Sequence, residues 1–233
     1  MRDVASFGWF SSLEVATVVS LDHGQFVELK QGRVLALLAV TSLAFLGTYT
    51  LYTYISPALR DATDGNESLL TLILLAWGVG ILAGNITAGR LVDRHDSARV
   101  LTGALTLATL ALVLTPLATR ALASTLVWAV VWGATVGVIV VPQQHRLISL
   151  SPAAAPVLLG LNSSALYIGI ALSGGFGGLA QKWLGLAPAE LGPVAAGITA
   201  LTLLWHLGTT RRPTAPAPTT PEPTSADSEK SEA

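Results

Sequence analysis

The chain has 233 residues, 52% of them hydrophobic and only 12% charged, with a formal net charge of −1. Soluble domains carry roughly 25% charged residues, so the composition is that of a membrane protein, and near-neutrality gives no basis for nucleic acid as a partner. The lack of cysteine excludes a disulfide framework, a thiol nucleophile and a thiolate metal site.

The first 33 residues are mildly apolar around Phe7, Trp9 and Phe10, but Glu14 interrupts Val4 to Leu21. No small-residue cleavage site follows a basic start, so 1–33 reads as a cytoplasmic, interfacial segment rather than a signal peptide or a span. Six stretches then lack any Asp, Glu, Lys or Arg: Val34 to Ile55, Leu69 to Ala88, Leu101 to Thr119, Ala121 to Val141, Pro156 to Ala180 and Leu191 to Leu207. At about 1.5 Å per residue, each is long enough to cross a hydrocarbon core about 30 Å thick. Residues 34–208 are therefore predicted to form a six-helix transmembrane domain, all-α in class. The tail, 209–233, is rich in Pro, Thr, Ser and acids from Pro213 onward and is predicted to be a disordered cytoplasmic segment.

Within the first span the second half is unusually polar, with Thr48, Tyr49, Thr50, Tyr52, Thr53 and Tyr54. Tyr49 and Thr53 lie four residues apart and share a helix face. Small residues recur at the same spacing as Gly80 with Gly84, Gly133 with Gly137, Gly169 with Ser173, and Gly174 with Gly178. Such pairs let helices approach closely where lipid supplies no hydrophobic drive, and the run LSGGFGG also permits bending or sliding. Pro142 is predicted to close the fourth span, with Gln143, Gln144 and His145 as a polar boundary. Asn162 in the fifth span must face protein or water, because an unpaired amide in hydrocarbon is costly.

Lysine and arginine mark the cytoplasmic side. Arg2, Lys30, Arg33, Arg90, Arg94, Arg99, Arg146, Arg211, Arg212 and Lys230 fall on one side, and Arg60, Arg120 and Lys182 on the other. Both termini are thereby placed in the cytoplasm of a multi-pass plasma-membrane protein.

The polar knot GRLVDRHDSAR after the second span, together with TYTLYTYISPAL and LNSSALYIGIALSGGFGGL, resembles the major facilitator superfamily, and within it the drug and sugar efflux proton antiporters. The likeness covers about Lys30 to Leu207 and corresponds to the carboxy-terminal six-helix half of a twelve-helix transporter. The resemblance implies two inverted three-helix repeats, with substrate bound near the bilayer midplane between halves. It also implies that Gly89, Asp93, Arg94 and Arg99 form a cytoplasmic gating loop, with Gly89 at a sharp exit from the second helix. Where many members carry a glycine two residues after the arginine, this chain has Asp96. The candidate substrate path is Tyr49, Tyr52, Thr53, Asn162 and Tyr167, and the helix-packing or hinge positions are Gly80, Gly84, Gly174 and Gly178.

No span contains Asp or Glu, although intramembrane acids are the usual proton carriers. In the family such residues commonly lie in the amino-terminal half. The expected function is efflux of small molecules, drugs or sugars, coupled to protons, with a separate amino-terminal half or a second copy as partner, or else a truncated product without transport. Membrane lipid and a small-molecule substrate are the other expected partners, and no cofactor or metal is expected. Two alternatives compete: a non-transporting membrane interaction protein, and an intramembrane serine protease using Ser163 or Ser164 with His206, for which no glycine-serine nucleophile motif exists.

Overall fold

The computed structural model describes residues 32–210. The segments 1–31 and 211–233, and with them the predicted interfacial start and disordered tail, lie outside the described residues. All regular structure among the described residues is helical. Six long helices follow in order: α1 Gly32–Tyr52, α2 Glu67–Arg94, α3 Ser97–Val113, α4 Leu122–Leu150, α5 Ala155–Leu184 and α6 Leu191–Thr210.

Five of these are long and apolar enough to cross a membrane, and α3, with 17 residues, is the shorter apolar one. Leu114 keeps helical angles (φ −79°, ψ −2°) and leads into the turn Thr115–Ala118, so the apolar column continues past Val113. From Ser97 to Ala118 the rise is about 33 Å at 1.5 Å per residue.

Several helices outrun the charge-free stretches that predict them. α2 runs to Arg94, because Ala88, Arg90 and Leu91 are good helix formers, a single interior Gly89 is tolerated, and polar side chains can project from the bundle end. The reversal into α3 takes only His95 and Asp96. His95 is extended (φ −133°, ψ 156°), and the Asp96 carboxylate accepts from the amides of Ala98 and Arg99, satisfying two of the free donors of the new helix. The expected sharp exit at Gly89 is therefore absent, since Gly89 is an interior residue of α2. α4 likewise continues through Pro142 to Leu150. Proline removes one backbone donor, and a membrane bundle tolerates this where neighbouring groups take up the freed carbonyl.

α1 packs on α5 and α6, α4 packs on α2 and α3, and α3 packs on α6. Exchanging α1 with α4, α2 with α5 and α3 with α6 returns the same pattern, the plan of two like three-helix units. The tightest seam joins α2 to α4. A Cβ added at Gly80 or Gly84 would run into the carbonyl oxygens of Val130 or Ala134, and one at Gly133 or Gly137 into those of Trp77 or Ile81. Both helices thus need their GxxxG pairs, because each backbone occupies the space where the other's side chain would begin. α2 and α5 are the least buried of the long helices.

Candidate functional site

Two assemblies stand out inside the bundle. The first is a chain of polar side chains near the end where α1, α3 and α5 begin and α4 and α6 finish. On α1, the Thr41 hydroxyl donates to Asn162 Oδ1 of α5 at 2.8 Å, and it accepts from Gln143 Nε2 of α4 at 3.0 Å. The same Gln143 amide donates to the Leu37 carbonyl at 2.8 Å. Arg146, one turn on, donates to Gln143 Oε1 at 3.2 Å and to His206 Nδ1 of α6 at 3.0 Å.

His206 Nε2 lies 3.1 Å from the Ala98 carbonyl and 3.1 Å from Thr102 Oγ1 on α3. A carbonyl only accepts, so Nε2 carries the hydrogen and Nδ1 is the bare acceptor that Arg146 needs. This assigns one neutral tautomer from the partners on both ring nitrogens. Thr41, Gln143, Asn162 and His206 are all buried. Five helices are thereby joined through buried and part-buried hydrogen bonds, and loss of any member strands its neighbour.

The second assembly is aromatic and lies toward the other end of the bundle. Tyr52 stacks on Trp77 at 4.3 Å between ring centroids, Tyr49 meets Tyr52 edge-on at 5.3 Å, and Trp77 and Trp132 stand 5.7 Å apart. Trp128 extends the group by stacking on Trp132 at 4.9 Å, and its indole N–H donates to the Ala111 carbonyl at 2.8 Å. The indole nitrogens of Trp77 and Trp132 are buried with no hydrogen-bond partner, as is the Thr48 hydroxyl. Unpaired buried donors are uncommon and costly, and these two lie in the interior of the ring cluster, without contact to the outside of the bundle.

The predicted site residues distribute unevenly over these assemblies. Tyr49 and Tyr52 belong to the aromatic cluster. Asn162 belongs to the polar chain, well apart from it. Thr53 is exposed, bonds back to the Tyr49 carbonyl at 2.8 Å and meets Ser173 Oγ of α5 at 3.1 Å, while Tyr167 stands exposed on α5. Gly80 and Gly84 lie in the α2–α4 seam. Gly174 and Gly178 face the Thr53 methyl and the Tyr54 hydroxyl, at 3.5 Å and 3.0 Å from an added Cβ, so they meet side chains rather than backbone. Tyr54 also donates to the Gly174 carbonyl at 2.7 Å. Asp93, Arg94 and Arg99 are exposed at the α2–α3 reversal.

Sequence reading places Gln143 and His145 at a featureless boundary and leaves Arg146 to the topology count. The structure draws Gln143, Arg146 and His206 into one network instead. A continuous helix through Pro142 is what carries Gln143 and Arg146 inward. Ser163 and Ser164 donate to the carbonyls of Leu159 and Gly160 in their own helix, and both nitrogens of His206 are engaged elsewhere. No serine nucleophile therefore meets this histidine.

A family model, the Major Facilitator Superfamily, matches residues 37–231. The chain belongs to the major facilitator superfamily. Among its relatives is the inner membrane transport protein YdhP of Escherichia coli (strain K12), 32% identical over 175 residues, which cover 74% of this chain and 45% of that protein. The uncharacterized MFS-type transporter YbcL of Bacillus subtilis (strain 168) is 31% identical over 144 residues, 61% of this chain and 37% of the relative. A probable sugar efflux transporter of Haemophilus influenzae (strain 86-028NP) is 27% identical over 169 residues, 72% of this chain and 41% of the relative. The chain thus spans less than half the length of these relatives. Membership of the superfamily and the apolar helices make it a multi-pass membrane protein.

Proposed function

We propose that this chain is one six-helix bundle of a membrane transporter that exports small molecules, and that it works with a second bundle. The observation that carries the reading is the match of 175 residues to 45% of a transport protein's length. The like packing of the two three-helix units supports it. A single bundle offers one wall of a substrate path, and the partly exposed rings of Tyr49 and Tyr52 are the part of the aromatic cluster suited to meet a ligand there. An uncharged or weakly polar substrate such as a sugar or an aromatic drug fits a wall of tyrosine rings and hydroxyls with no carboxylate.

Proton coupling needs a titratable carrier reachable from both sides. The charge-free spans hold no acid, so in this reading an amino-terminal-type bundle supplies the carrier, which a second copy of the chain would lack. α2 and α5 expose Leu75, Leu82, Leu172 and Phe176 and are the faces we assign to that partner. Gly89, Asp93, Arg94 and Arg99 act in this scheme as the cytoplasmic latch of the transport cycle. Arg33, Arg90, Arg94, Arg99 and Arg146 gather at one end of the bundle and Arg60, Arg120 and Lys182 at the other, which supports a cytoplasmic placement of the first end.

The test is reconstitution of the purified chain in liposomes with an imposed pH gradient and a panel of sugars and aromatic drugs. The expected result is no gradient-driven flux by this chain alone and flux on co-reconstitution with an amino-terminal six-helix bundle. Transport by a monomer of the chain alone overturns the half-transporter reading.

A further inference from the structure

One outer face of the bundle differs from the rest of the apolar surface. Between α2, α3 and α4 runs a groove of about 340 Å³ lined by Leu91, Val100, Gly103, Leu107, Ala134 and Val138. Its mouth carries His95 and Arg99, and no acidic residue lines it. Leu107 is shared with a second apolar groove of about 640 Å³ between α3 and α4, which continues past Leu110 to Leu114 and Trp128. The two form one apolar channel along α3 with Arg99 and His95 at one end.

Gly103 explains why the surface is hollow there. A Cβ added at Gly103 would meet nothing within 4 Å, unlike the glycines of the α2–α4 seam. This glycine serves no helix contact and leaves a furrow open to the outside. Ala104 and Ala134 keep the walls low on either side.

We propose that this channel is a binding site for an anionic phospholipid, with the headgroup phosphate on Arg99 and His95 and one acyl chain along α3. Charge complementarity selects the occupant. An apolar transmembrane helix of a partner would give the Arg99 guanidinium no counter-charge, whereas a phosphate diester pairs with it through charge-assisted hydrogen bonds. The depth also matches. From Arg99 to Leu110 on α3 the rise is roughly 16 Å, about half of a 30 Å hydrocarbon core and so one leaflet. Asp96, three residues before Arg99, has its Oδ1 turned onto the amides of Ala98 and Arg99.

The experiment is native mass spectrometry of the full chain in detergent with phosphatidylglycerol or phosphatidylcholine added, on the wild type, the pair His95→Gln with Arg99→Gln, and Gly103→Leu. Circular dichroism confirms that each variant keeps its helicity. The wild type should retain phosphatidylglycerol over phosphatidylcholine, and the paired variant should lower that preference about fivefold. Gly103→Leu should reduce the retained copies of both lipids by filling the furrow. Equal retention of the two lipids by the wild type overturns the proposal. So does loss in the charge variant with none in Gly103→Leu, which would describe a surface attraction only. A dimer that Gly103→Leu abolishes, without lipid selectivity, would assign the groove to a second copy and overturn it as well.

Discussion

Arg146 and His206 meet at 3.0 Å across a sequence separation of 60, and through them α4 is tied to α6. The contact is asymmetric. Arg146 also holds Gln143, and His206 also holds the start of α3, so the pair is the central link of a chain from Asn162 to Ala98.

Arg146→Ala leaves His206 Nδ1 and Gln143 Oε1 as acceptors without a donor and is expected to cost about 1–3 kcal/mol of stability. His206→Ala should cost a similar amount, and the double variant less than the sum by at least about 0.5 kcal/mol. Thermal melting of the four proteins in detergent measures this. Strict additivity would mean that the contact contributes nothing.

The α2–α4 seam has no space for a side chain at Gly84 or Gly133, where the obstacle is a backbone carbonyl that cannot turn aside. Gly84→Ala and Gly133→Ala are each expected to destabilise by about 1–3 kcal/mol or to prevent assembly. Gly89→Ala, with open space around it, should be neutral or stabilising by about 0.5–1 kcal/mol through helix propensity. Equal melting temperatures for Gly84→Ala and Gly89→Ala would contradict the seam.

Asp96 caps α3 and Asp93 does not, so the two acids of the polar knot separate by stability. Asp96→Ala should cost about 1 kcal/mol, with Asp96→Asn recovering most of it. Asp93→Ala, at an exposed position on α2, should lie within about 0.5 kcal/mol of wild type. A loss of transport with Asp93→Ala at unchanged melting temperature would support the latch role, and an equal loss of stability by both alanine variants would refute the separation.

Trp77→Phe and Trp132→Phe remove the two unpartnered indole N–H groups while keeping a ring in the cluster. Melting is expected to stay level or rise, because a buried donor without a partner is removed. Because both indole nitrogens are buried, KM for flux by the assembled transporter should stay unchanged. A raised KM in either variant at equal stability would place the indoles on the substrate path.

The helical class, the approximate position of every long helix and the uneven placement of basic residues follow from sequence alone. The reason is that a hydrocarbon layer penalises every charge and every unpaired backbone group, so charge-free runs of fixed length have few other uses. The close-packing role of Gly80, Gly84, Gly133 and Gly137 is also legible, since small residues four apart share a face. The ends of the helices are not, because polar residues beyond the apolar stretch are as compatible with helix as with loop; α2 and α4 therefore continue through Gly89 and Pro142. What only the tertiary structure decides is which polar groups satisfy one another. Thr41 finds Asn162 at a separation of 121 residues and Gln143 finds Leu37 at 106. Such partners are chosen by which helix faces come together, and that choice is made by packing rather than by any local pattern in the chain.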